Sequence, residues 1–264
     1  MDKTNISSQR LNAIHYFELV LSLAKKDLKV RYKSATLGFL WALLNPLLMM
    51  VVLSVIFSLV FRVKTDSPYS VFVLCGLIPW TFFNLSLAGA TNSIIDNASL
   101  IKKVYFPREI IPISVIIANL VNFCLSLLFL FIFLLIFQIK ITALVLLSPL
   151  VVILQMIFLS GMVLLTSGLN VYFRDVKYIV EATLLILFYL SPVFYPVSMV
   201  PERFMGIYML NPMAGIITFY RNILLDGKLP DLSLVVSTLI SCLIIFFAGF
   251  IVFKRCEPAF ADLI

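Results

Sequence analysis

The chain is poor in ionisable side chains, and this scarcity argues against a catalytic or metal-binding protein. Only 12% of its 264 residues are charged, whereas soluble domains carry about a quarter. The single histidine is His15, and no Ser, His and Asp set or cluster of metal ligands can be assembled around it. The four cysteines show no CxxC spacing, so we interpret them as packing residues and free thiols. We expect no catalytic residue, metal or bound cofactor in this chain.

Hydrophobic residues dominate instead. They make up 62% of the chain, and the mean hydropathy is +1.10. Six uncharged runs reach the ~20 residues that a helix needs to cross the hydrocarbon of a bilayer. These runs are 37–61, 69–92, 110–139, 141–173, 182–201 and 232–253. Because the runs are continuously apolar and do not alternate, the sequence predicts an all-α integral membrane protein with six transmembrane helices.

The distribution of Lys and Arg predicts the orientation of these helices. With the N-terminus in the cytoplasm, fourteen of the twenty basic residues fall in cytoplasmic segments and six in outer segments, as the positive-inside rule requires. We therefore expect both termini in the cytoplasm and a single transmembrane domain. Its parts are a cytoplasmic and interfacial segment, 1–36, the six spans within 37–253, and a cytoplasmic tail, 254–264.

The sequence also lacks the features by which a membrane protein powers transport itself. None of the thirteen carboxylates falls at the midplane of a predicted span. Glu181 comes closest, and we expect it to pair with Lys177 one helical turn earlier. Ion-coupled carriers depend on such intramembrane charges, so that class is disfavoured. A GxxxxGK[ST] phosphate loop is absent as well, so any ATP that drives this protein must be hydrolysed by another polypeptide.

Residues 11–33 place apolar and basic residues on opposite sides of a predicted N-terminal amphipathic helix, which suits the membrane interface. Its basic cluster has three interpretations: a lipid-surface anchor, a contact for a partner subunit, or a receptor for an anionic headgroup such as a carrier diphosphate. The residues concerned are Lys25, Lys26, Lys29, Arg31 and Lys33.

A proline-rich segment, 191–231, separates the fifth and sixth runs. Its apolar pieces are too short to cross a membrane, so we expect short helices on the outer side that re-enter it. Such a backbone is tolerated in a membrane only beside protein or a water-filled cavity. A polar path should therefore run nearby.

The loop "NASLIKKVYFPREIIPIS", 97–114, joins the second and third runs. It predicts a short helix with Asn97 or Ser99 as its N-cap and with Lys102 and Lys103 in its last turn, before Pro107 ends it. A rigid helix at the membrane surface could transmit a conformational change from a soluble motor protein to the transmembrane helices. On composition alone, an ordinary basic loop beside the membrane also explains the segment.

Taken together, four stretches resemble the ABC-2 type permeases of polysaccharide export, and most nearly those of O-antigen export. They occur in order along nearly the whole chain. They are "LGFLWALLNPLLMMVVLSVIF" (37–57), "NASLIKKVYFPREIIPIS" (97–114), "LNVYFRDVKYIVE" (169–181), and "LSPVFYPVSMVPERF" with "LNPMAGIITFYRNILL" (190–225).

The resemblance implies the channel-forming subunit of a homodimeric exporter in the bacterial inner membrane. Two separate ATPase subunits would hold the ATP and Mg, and the cargo would be a polysaccharide, most nearly O-antigen, on undecaprenyl diphosphate. The resemblance implies a coupling helix to the ATPase formed by Asn97, Ser99, Leu100, Ile101, Lys102, Lys103, Tyr105 and Phe106. It implies an outer gate within 196–228 that includes Pro196, Pro201, Arg203, Asn211, Pro212 and Arg221.

Aromatic side chains suit the conduit that a hydroxyl-rich polymer needs, because they offer flat faces to sugar CH groups and bind weakly at many places. The chain has 24 Phe, 10 Tyr and 2 Trp. Each of these rings has an ordinary alternative role in helix contacts or at the membrane interface. The candidate channel-lining residues are Trp41, Trp80, Phe82, Phe83, Tyr189, Phe194, Tyr195 and Tyr220.

Two alternatives stay open at this point. A capsule or teichoic acid exporter of the same family fits the same residues, because they contain no glycan-specific set. From another class, a membrane-embedded transferase of lipid-linked sugars would need converging acids. Asp175 in "FRDVK" is its best candidate, although Arg174 and Lys177 suggest a salt-bridged turn there.

Overall fold

The computed structural model describes residues 3–33, 40–63 and 65–264. Within these ranges all regular secondary structure is helical, which confirms the all-α prediction for them. The predicted boundary between the interfacial segment and the first span, at residues 36 and 37, lies outside the described residues.

Twelve α-helices of very unequal length follow one another along the described parts of the chain. Wider, π-helical turns prolong the second helix over Val55–Val60 and the tenth over Asn222–Asp226. The helices are α1 (Lys3–Tyr32), α2 (Leu40–Ser54), α3 (Tyr69–Thr91), α4 (Ser93–Asp96), α5 (Ala98–Lys103), α6 (Ile110–Ile136), α7 (Ser148–Tyr172), α8 (Val176–Leu190), α9 (Glu202–Tyr208), α10 (Pro212–Arg221), α11 (Leu232–Cys256) and α12 (Phe260–Leu263).

Four helical stretches among the described residues are long and apolar enough to cross a membrane. The other two predicted spans correspond to α2 and α8, of 15 residues each. A helix of that length rises about 22 Å, less than the ~30 Å hydrocarbon core, although the wider turn adds length to α2. The chain is thus a multi-pass helical membrane protein, and a count of six depends on these two short helices. The four long stretches are Tyr69–Thr91, Ile110–Ile136, Ala143–Tyr172 and Leu232–Leu263.

The helix α8 lies earlier in the chain than the uncharged run 182–201 that predicted it. It begins at Val176 and ends at Leu190, and Ser191 is already extended. The ring of Pro192 disfavours a helical conformation for the residue before it, which explains the end. At the start, Lys177 and Glu181 lie in the first turns, where a spanning helix still meets the polar surface of a membrane.

At the centre of the fold lies α3, which packs against α2, α6, α7, α8 and α10. Its residues Cys75, Phe83 and Ala90 are completely buried. The buried Gln155 of α7 donates a hydrogen bond to the carbonyl of Pro79 over 2.8 Å and accepts one from the Tyr220 hydroxyl over 3.3 Å. This small polar network ties α3, α7 and α10 together.

The helices α7 and α11 touch backbone to backbone at two glycines. A Cβ atom added to Gly249 would lie 2.0 Å from the carbonyl oxygen of Gly161, and one added to Gly161 would lie 2.5 Å from the Cα of Phe246. Small residues at such an interface let membrane helices approach closely and gain packing contacts. The pair α7 and α11 therefore forms one tightly packed unit.

The N-terminal helix α1 packs along one face against α6. Val20 and Ala24 are buried there, and the Arg31 guanidinium donates a hydrogen bond over 2.6 Å to the side-chain oxygen of Asn119. Phe17, two turns before Ala24 on the same side, and Val30, on the opposite side, are 60% and 67% exposed. Exposed apolar residues beside lysines suit the membrane interface predicted for this segment.

Two short helices, α9 and α10, occupy the proline-rich segment. Nearly all of α10 is buried, because it packs back against α3, α7 and α11. Pro212 stands at its first turn, where the missing N–H costs no hydrogen bond, and the Asn211 side chain caps the helix by accepting the Met213 N–H over 3.0 Å. The turn that follows α10 closes at Gly227, whose φ of 60° favours glycine.

Candidate functional site

The short helix predicted in the loop after α3 is present as α5. Asn97 occupies its N-cap position, but its side chain makes no capping hydrogen bond. Instead its amide donates to the carbonyl of Ser93 over 2.9 Å, and its oxygen accepts from Lys26 Nζ of α1 over 3.2 Å. Ser99 lies within the first turn and is exposed. The start of α5 is therefore tied to α1.

One side of α5 is anchored and the other is free of the fold. Ile101 is buried in an apolar cluster with Ile94 and Phe253, while Lys102 and Lys103 are exposed. After the helix the backbone extends, and Tyr105 is fully exposed. Leu100 and Phe106 are partly buried. An exposed aromatic residue held beside a fixed helix is typical of a contact surface for another protein.

A groove of about 720 Å³ runs between α2, α3 and α8. Most of its wall is apolar, and four polar side chains are added to it: Asn45, Thr81, Asn84 and Glu181. Thr81 and Asn84 share one face of α3 with Leu77 and Trp80, because residues three or four apart lie side by side on a helix. The groove thus combines flat apolar surface with hydrogen-bonding groups along one line.

The polar members of this wall were not predicted as channel residues from the sequence. A signal existed, since polar residues three apart within an uncharged run mark one face of a spanning helix. The predicted pair of Glu181 with Lys177 is not among the ion pairs of the described structure, because Glu181 lies on the groove wall. The other residues of the wall are Pro46, Leu48, Met49, Val52, Leu77, Leu85, Ala88, Leu184, Leu185 and Phe188, with the predicted Trp80 and Tyr189.

The eight aromatic candidates occupy three kinds of position. Trp80 and Tyr189 line the groove, and Trp41 is exposed on α2. Phe82 stacks on Phe123 at 4.8 Å between ring centres, and Phe83 on Phe158 at 5.3 Å, so both fill the interior of the bundle.

The other three aromatic candidates lie at or near the proline-rich segment. Tyr220 is buried in α10, where its hydroxyl reaches Gln155. Phe194 and Tyr195 follow α8, with their ring centres 5.2 Å apart. The Tyr195 hydroxyl donates to the carbonyl of Tyr189 over 3.0 Å, which links this turn back to the groove.

The five basic residues proposed to meet a diphosphate divide into two groups. Arg31 forms an ion pair with Asp27 at 3.0 Å and also contacts α6, and Lys26 contacts Asn97. Lys25, Lys29 and Lys33 are exposed. The first two are therefore engaged in holding α1, and the last three point away from the fold.

Among the residues assigned to an outer gate, Arg221 has the most contacts. It is only 6% exposed, and its guanidinium lies 3.5 Å from the ring centre of Phe72. It donates to the carbonyl of Val193 over 2.8 Å and to that of Tyr195 over 3.3 Å. The guanidinium thus satisfies carbonyls of the non-helical stretch after α8, which otherwise lack partners.

The neighbouring gate residues extend this arrangement. The Asn211 amide donates to the hydroxyl of Ser191 over 2.9 Å, and the Tyr69 hydroxyl donates to the carbonyl of Phe194. In α9, burial raises the pKa of Tyr208, and its hydrogen bond to Tyr195 raises that pKa further. Arg203 is exposed, with its guanidinium 4.6 Å from the Phe204 ring centre. Pro196 and Pro201 each precede a helical turn.

Comparison with known proteins identifies the family. Residues 18–225 match the ABC-2 type transporter family. The O-antigen export system permease protein RfbA of Klebsiella pneumoniae is 34% identical over 256 residues, which are 97% of this chain and 98% of that protein. RfbA of Myxococcus xanthus is also 34% identical, over 94% of this chain and 95% of that protein.

A more distant relative is the polysialic acid transport protein KpsM of Escherichia coli, which is 25% identical over 80% of this chain and 83% of that protein. The resemblance inferred from the sequence motifs is confirmed. The chain belongs to the ABC-2 type transporter family, as a membrane permease subunit.

Proposed function

We propose that this chain is the transmembrane subunit of an ATP-driven exporter that moves undecaprenyl-diphosphate-linked polysaccharide across the bacterial inner membrane, with O-antigen as the cargo. One observation carries the proposal: the similarity to permeases named for O-antigen export extends over nearly the whole chain. A transferase of lipid-linked sugars has no comparable support, and its best acid, Asp175, is an exposed residue at the start of α8.

The groove between α2, α3 and α8 is the wall of the polysaccharide path in this proposal. A hydroxyl-rich polymer loses its water on entering a membrane and needs replacement hydrogen bonds. Asn45, Thr81 and Asn84 supply these, and Tyr189, which is 60% exposed, offers its ring to the sugars. Trp80 borders the groove with only 5% of its surface exposed. A second copy of the chain closes the open side of the groove, so that the channel lies between two protomers.

The single carboxylate of the wall favours an uncharged polysaccharide. Glu181 is exposed to the groove and makes no ion pair with another described residue. A negative charge repels an acidic polymer more strongly where apolar walls exclude water. An O-antigen of neutral sugars therefore fits this groove better than the polysialic acid that the distant relative is named for.

Six spans and a cytoplasmic position for both termini complete the topology of the proposal. In this orientation α5 and Tyr105 face the cytoplasm, where two copies of a separate ATPase subunit bind them and hold ATP and Mg. The segment with α9 and α10 closes the path at the outer side. Lys25, Lys29 and Lys33, exposed on α1, meet the diphosphate of the carrier at the cytoplasmic surface.

The decisive experiment is gentle purification of the tagged chain from its native host, followed by mass spectrometry of what comes with it. We expect a soluble subunit with a phosphate-loop motif in about equal amount. Replacing Lys102, Lys103 and Tyr105 by Ala should release that subunit, because these side chains are exposed and none forms a hydrogen bond or ion pair with another described residue.

The matched control replaces Arg203 and Lys228 by Ala, two exposed basic residues of the proposed outer side, and should leave the complex intact. Purification of the chain without an ATPase, under conditions that preserve other membrane complexes, would contradict the proposed function.

A further inference from the structure

The C-terminal end of α11 is capped by side chains from two other segments of the chain. Carbonyls in the last turn of a helix have no partner within the helix. Here the Tyr172 hydroxyl, at the end of α7, donates to the carbonyl of Cys256 over 3.3 Å. The Arg108 guanidinium donates to the carbonyl of Glu257, the residue that follows α11, and shares this carbonyl with the backbone N–H of Phe260. Its positive charge also suits the negative end of the helix dipole.

Ion pairs reinforce the same contact. Lys254 Nζ lies 2.9 Å from a carboxylate oxygen of Glu109 and 2.9 Å from one of Glu257. The other oxygen of Glu257 accepts the backbone N–H of Arg108 over 3.3 Å. The side chains of Glu109 and Glu257 are 16% and 20% exposed and that of Lys254 is 37% exposed, so the two carboxylates are shielded from water while the ammonium group is partly solvated. We call Arg108, Glu109, Tyr172, Lys254 and Glu257 the α11 junction.

The α11 junction lies beside a buried apolar cluster to which α5 contributes. Ile101 of α5 belongs to the same buried cluster as Phe253 of α11 and Phe260 of α12. The rings of Phe253 and Phe260 meet edge to face, 5.4 Å between centres. Leu23 of α1 packs against the same cluster, and burial together with the Glu109 carboxylate raises the pKa of Tyr16 of α1. The helices α1, α5, α11 and α12 therefore meet in one place.

The covalent route from α5 to the spans is a non-helical connection. Between the end of α5 at Lys103 and the start of α6 at Ile110 the chain is not helical, and Val104 is extended. Arg108 and Glu109 lie in this connection and bind α11. Since α11 touches α7 backbone to backbone at Gly249 and Gly161, whatever displaces the end of α11 also displaces α7.

We propose that the α11 junction transmits the movement of α5 to the pair α7 and α11, and that its five members are positioning residues for ATP-driven export. The proposal rests on the proposed function, because it presupposes an ATPase acting at α5. In this proposal α11, as well as the neighbouring α6, transmits the movement that ATP hydrolysis produces.

The test uses Lys254→Gln and Tyr172→Phe in the complex purified with its ATPase subunit and inserted into vesicles. Each removes contacts of the α11 junction and leaves the exposed residues Lys102, Lys103 and Tyr105 unchanged. We expect the complex to assemble and to hydrolyse ATP as the parent does, while the polysaccharide exported per ATP falls about tenfold in Lys254→Gln and less in Tyr172→Phe.

Matched controls are Arg255→Gln and Tyr178→Phe, because both residues are exposed and neither makes a hydrogen bond to another described residue through its side chain. A rescue variant combines Glu109→Lys, Lys254→Glu and Glu257→Gln. It reverses the first ion pair, and the glutamine introduced at position 257 still accepts the Arg108 N–H and now donates to the glutamate introduced at position 254. We expect it to recover most of the export per ATP.

If both Lys254→Gln and Tyr172→Phe export as much polysaccharide per ATP as the parent, the proposed role of the α11 junction is wrong. A folded rescue variant that is no better than Lys254→Gln would also overturn it, because restoring the attraction between positions 109 and 254 should restore the export per ATP. If Lys254→Gln does not fold, Tyr172→Phe and the rescue variant decide by the same ratio. Failure of the parent chain to bind an ATPase would instead overturn the proposed function, so the two failures are distinguishable.

Discussion

At the scale of single residues, Glu181 gives the most specific prediction about the cargo. We predict that Glu181→Gln raises the affinity for an acidic oligosaccharide about fivefold and leaves the affinity for a neutral one nearly unchanged, because it removes the one negative charge of the groove wall. The two tryptophans of the chain, Trp41 and Trp80, make intrinsic fluorescence a suitable measure, since Trp80 lines the groove.

The control is Glu202→Gln, which removes an exposed carboxylate of α9 that is not part of the groove wall. Equal changes for acidic and neutral oligosaccharides in Glu181→Gln would show that the charge of Glu181 does not select the cargo.

Arg221 is the residue on which the outer segment depends most. We predict that Arg221→Leu lowers the free energy of unfolding by about 2–3 kcal/mol, because the carbonyls of Val193 and Tyr195 lose their donor inside the protein. Arg221→Lys should recover only part of the lost stability. The planar guanidinium reaches both carbonyls with separate N–H groups, whereas the compact ammonium group of lysine is too small to reach both. Thermal stability in detergent, followed by size-exclusion chromatography after heating, measures the effect.

Arg203→Leu is the matched control for Arg221, because Arg203 is exposed and contacts only the neighbouring ring of Phe204. A similar loss of stability in both variants would mean that the burial of Arg221 has no special role.

Single residues also show where the sequence was informative. The spacing of Thr81 and Asn84 could have predicted the polar face of α3. That face also includes Trp80, four residues before Asn84. The neighbours of Phe82 and Phe83 could not be predicted, because the rest of α3 is apolar and shows no pattern that distinguishes one packing partner from another. Only the packing of α6 and α7 around α3 places Phe82 and Phe83 inside and leaves Trp80 at the wall.

At the scale of helices, the close contact of α7 and α11 predicts a pair of opposite outcomes. Gly249→Ala should destabilise the protein by about 1–3 kcal/mol, because the added methyl group would meet the backbone of Gly161 and the helices would have to separate. Gly206→Ala should stabilise it by about 0.5–1 kcal/mol, since Gly206 lies in α9 with nothing within 4 Å of the added atom.

Both glycine variants change the chain by one methyl group, so the sign of the difference in thermal stability is the measurement. A Gly249→Ala protein as stable as the parent would show that α7 and α11 can separate at no cost.

Helix boundaries show the same limits of sequence reasoning. The uncharged run 69–92 coincides with α3 because its flanking residues are polar on both sides. The run 182–201 misplaces α8, because the criterion of no charge excludes Lys177 and Glu181 and continues through Pro192. Hydropathy finds apolar segments, whereas caps and prolines decide where the helix begins and ends.

At the scale of the whole molecule, the polar groove and the apolar outside of the bundle require different neighbours. The exposed face of α11, with Ile240, Ile244 and Phe247, is apolar and can meet lipid. The face formed by α2 and α8 contains the polar groove, and lipid chains cannot satisfy Asn45, Asn84 or Glu181. A symmetric dimer in which two such faces meet would enclose these groups in a common, hydrated path.

This arrangement predicts where cysteines will cross-link two copies of the chain. In a background without the four native cysteines, Val51→Cys with Ile186→Cys places thiols on the exposed sides of α2 and α8, where the residues are 53% and 58% exposed. We expect oxidation of native membranes to yield a disulfide-linked dimer on a denaturing gel. Ile244→Cys with Phe247→Cys, at 63% and 57% exposure on α11, should give none, because that face meets lipid. Since all four side chains are apolar and similarly exposed, hydrophobicity alone predicts no difference between the pairs. Cross-linking through α11 in place of α2 and α8 would mean that the groove faces lipid. The proposal of a channel between two protomers would then be wrong.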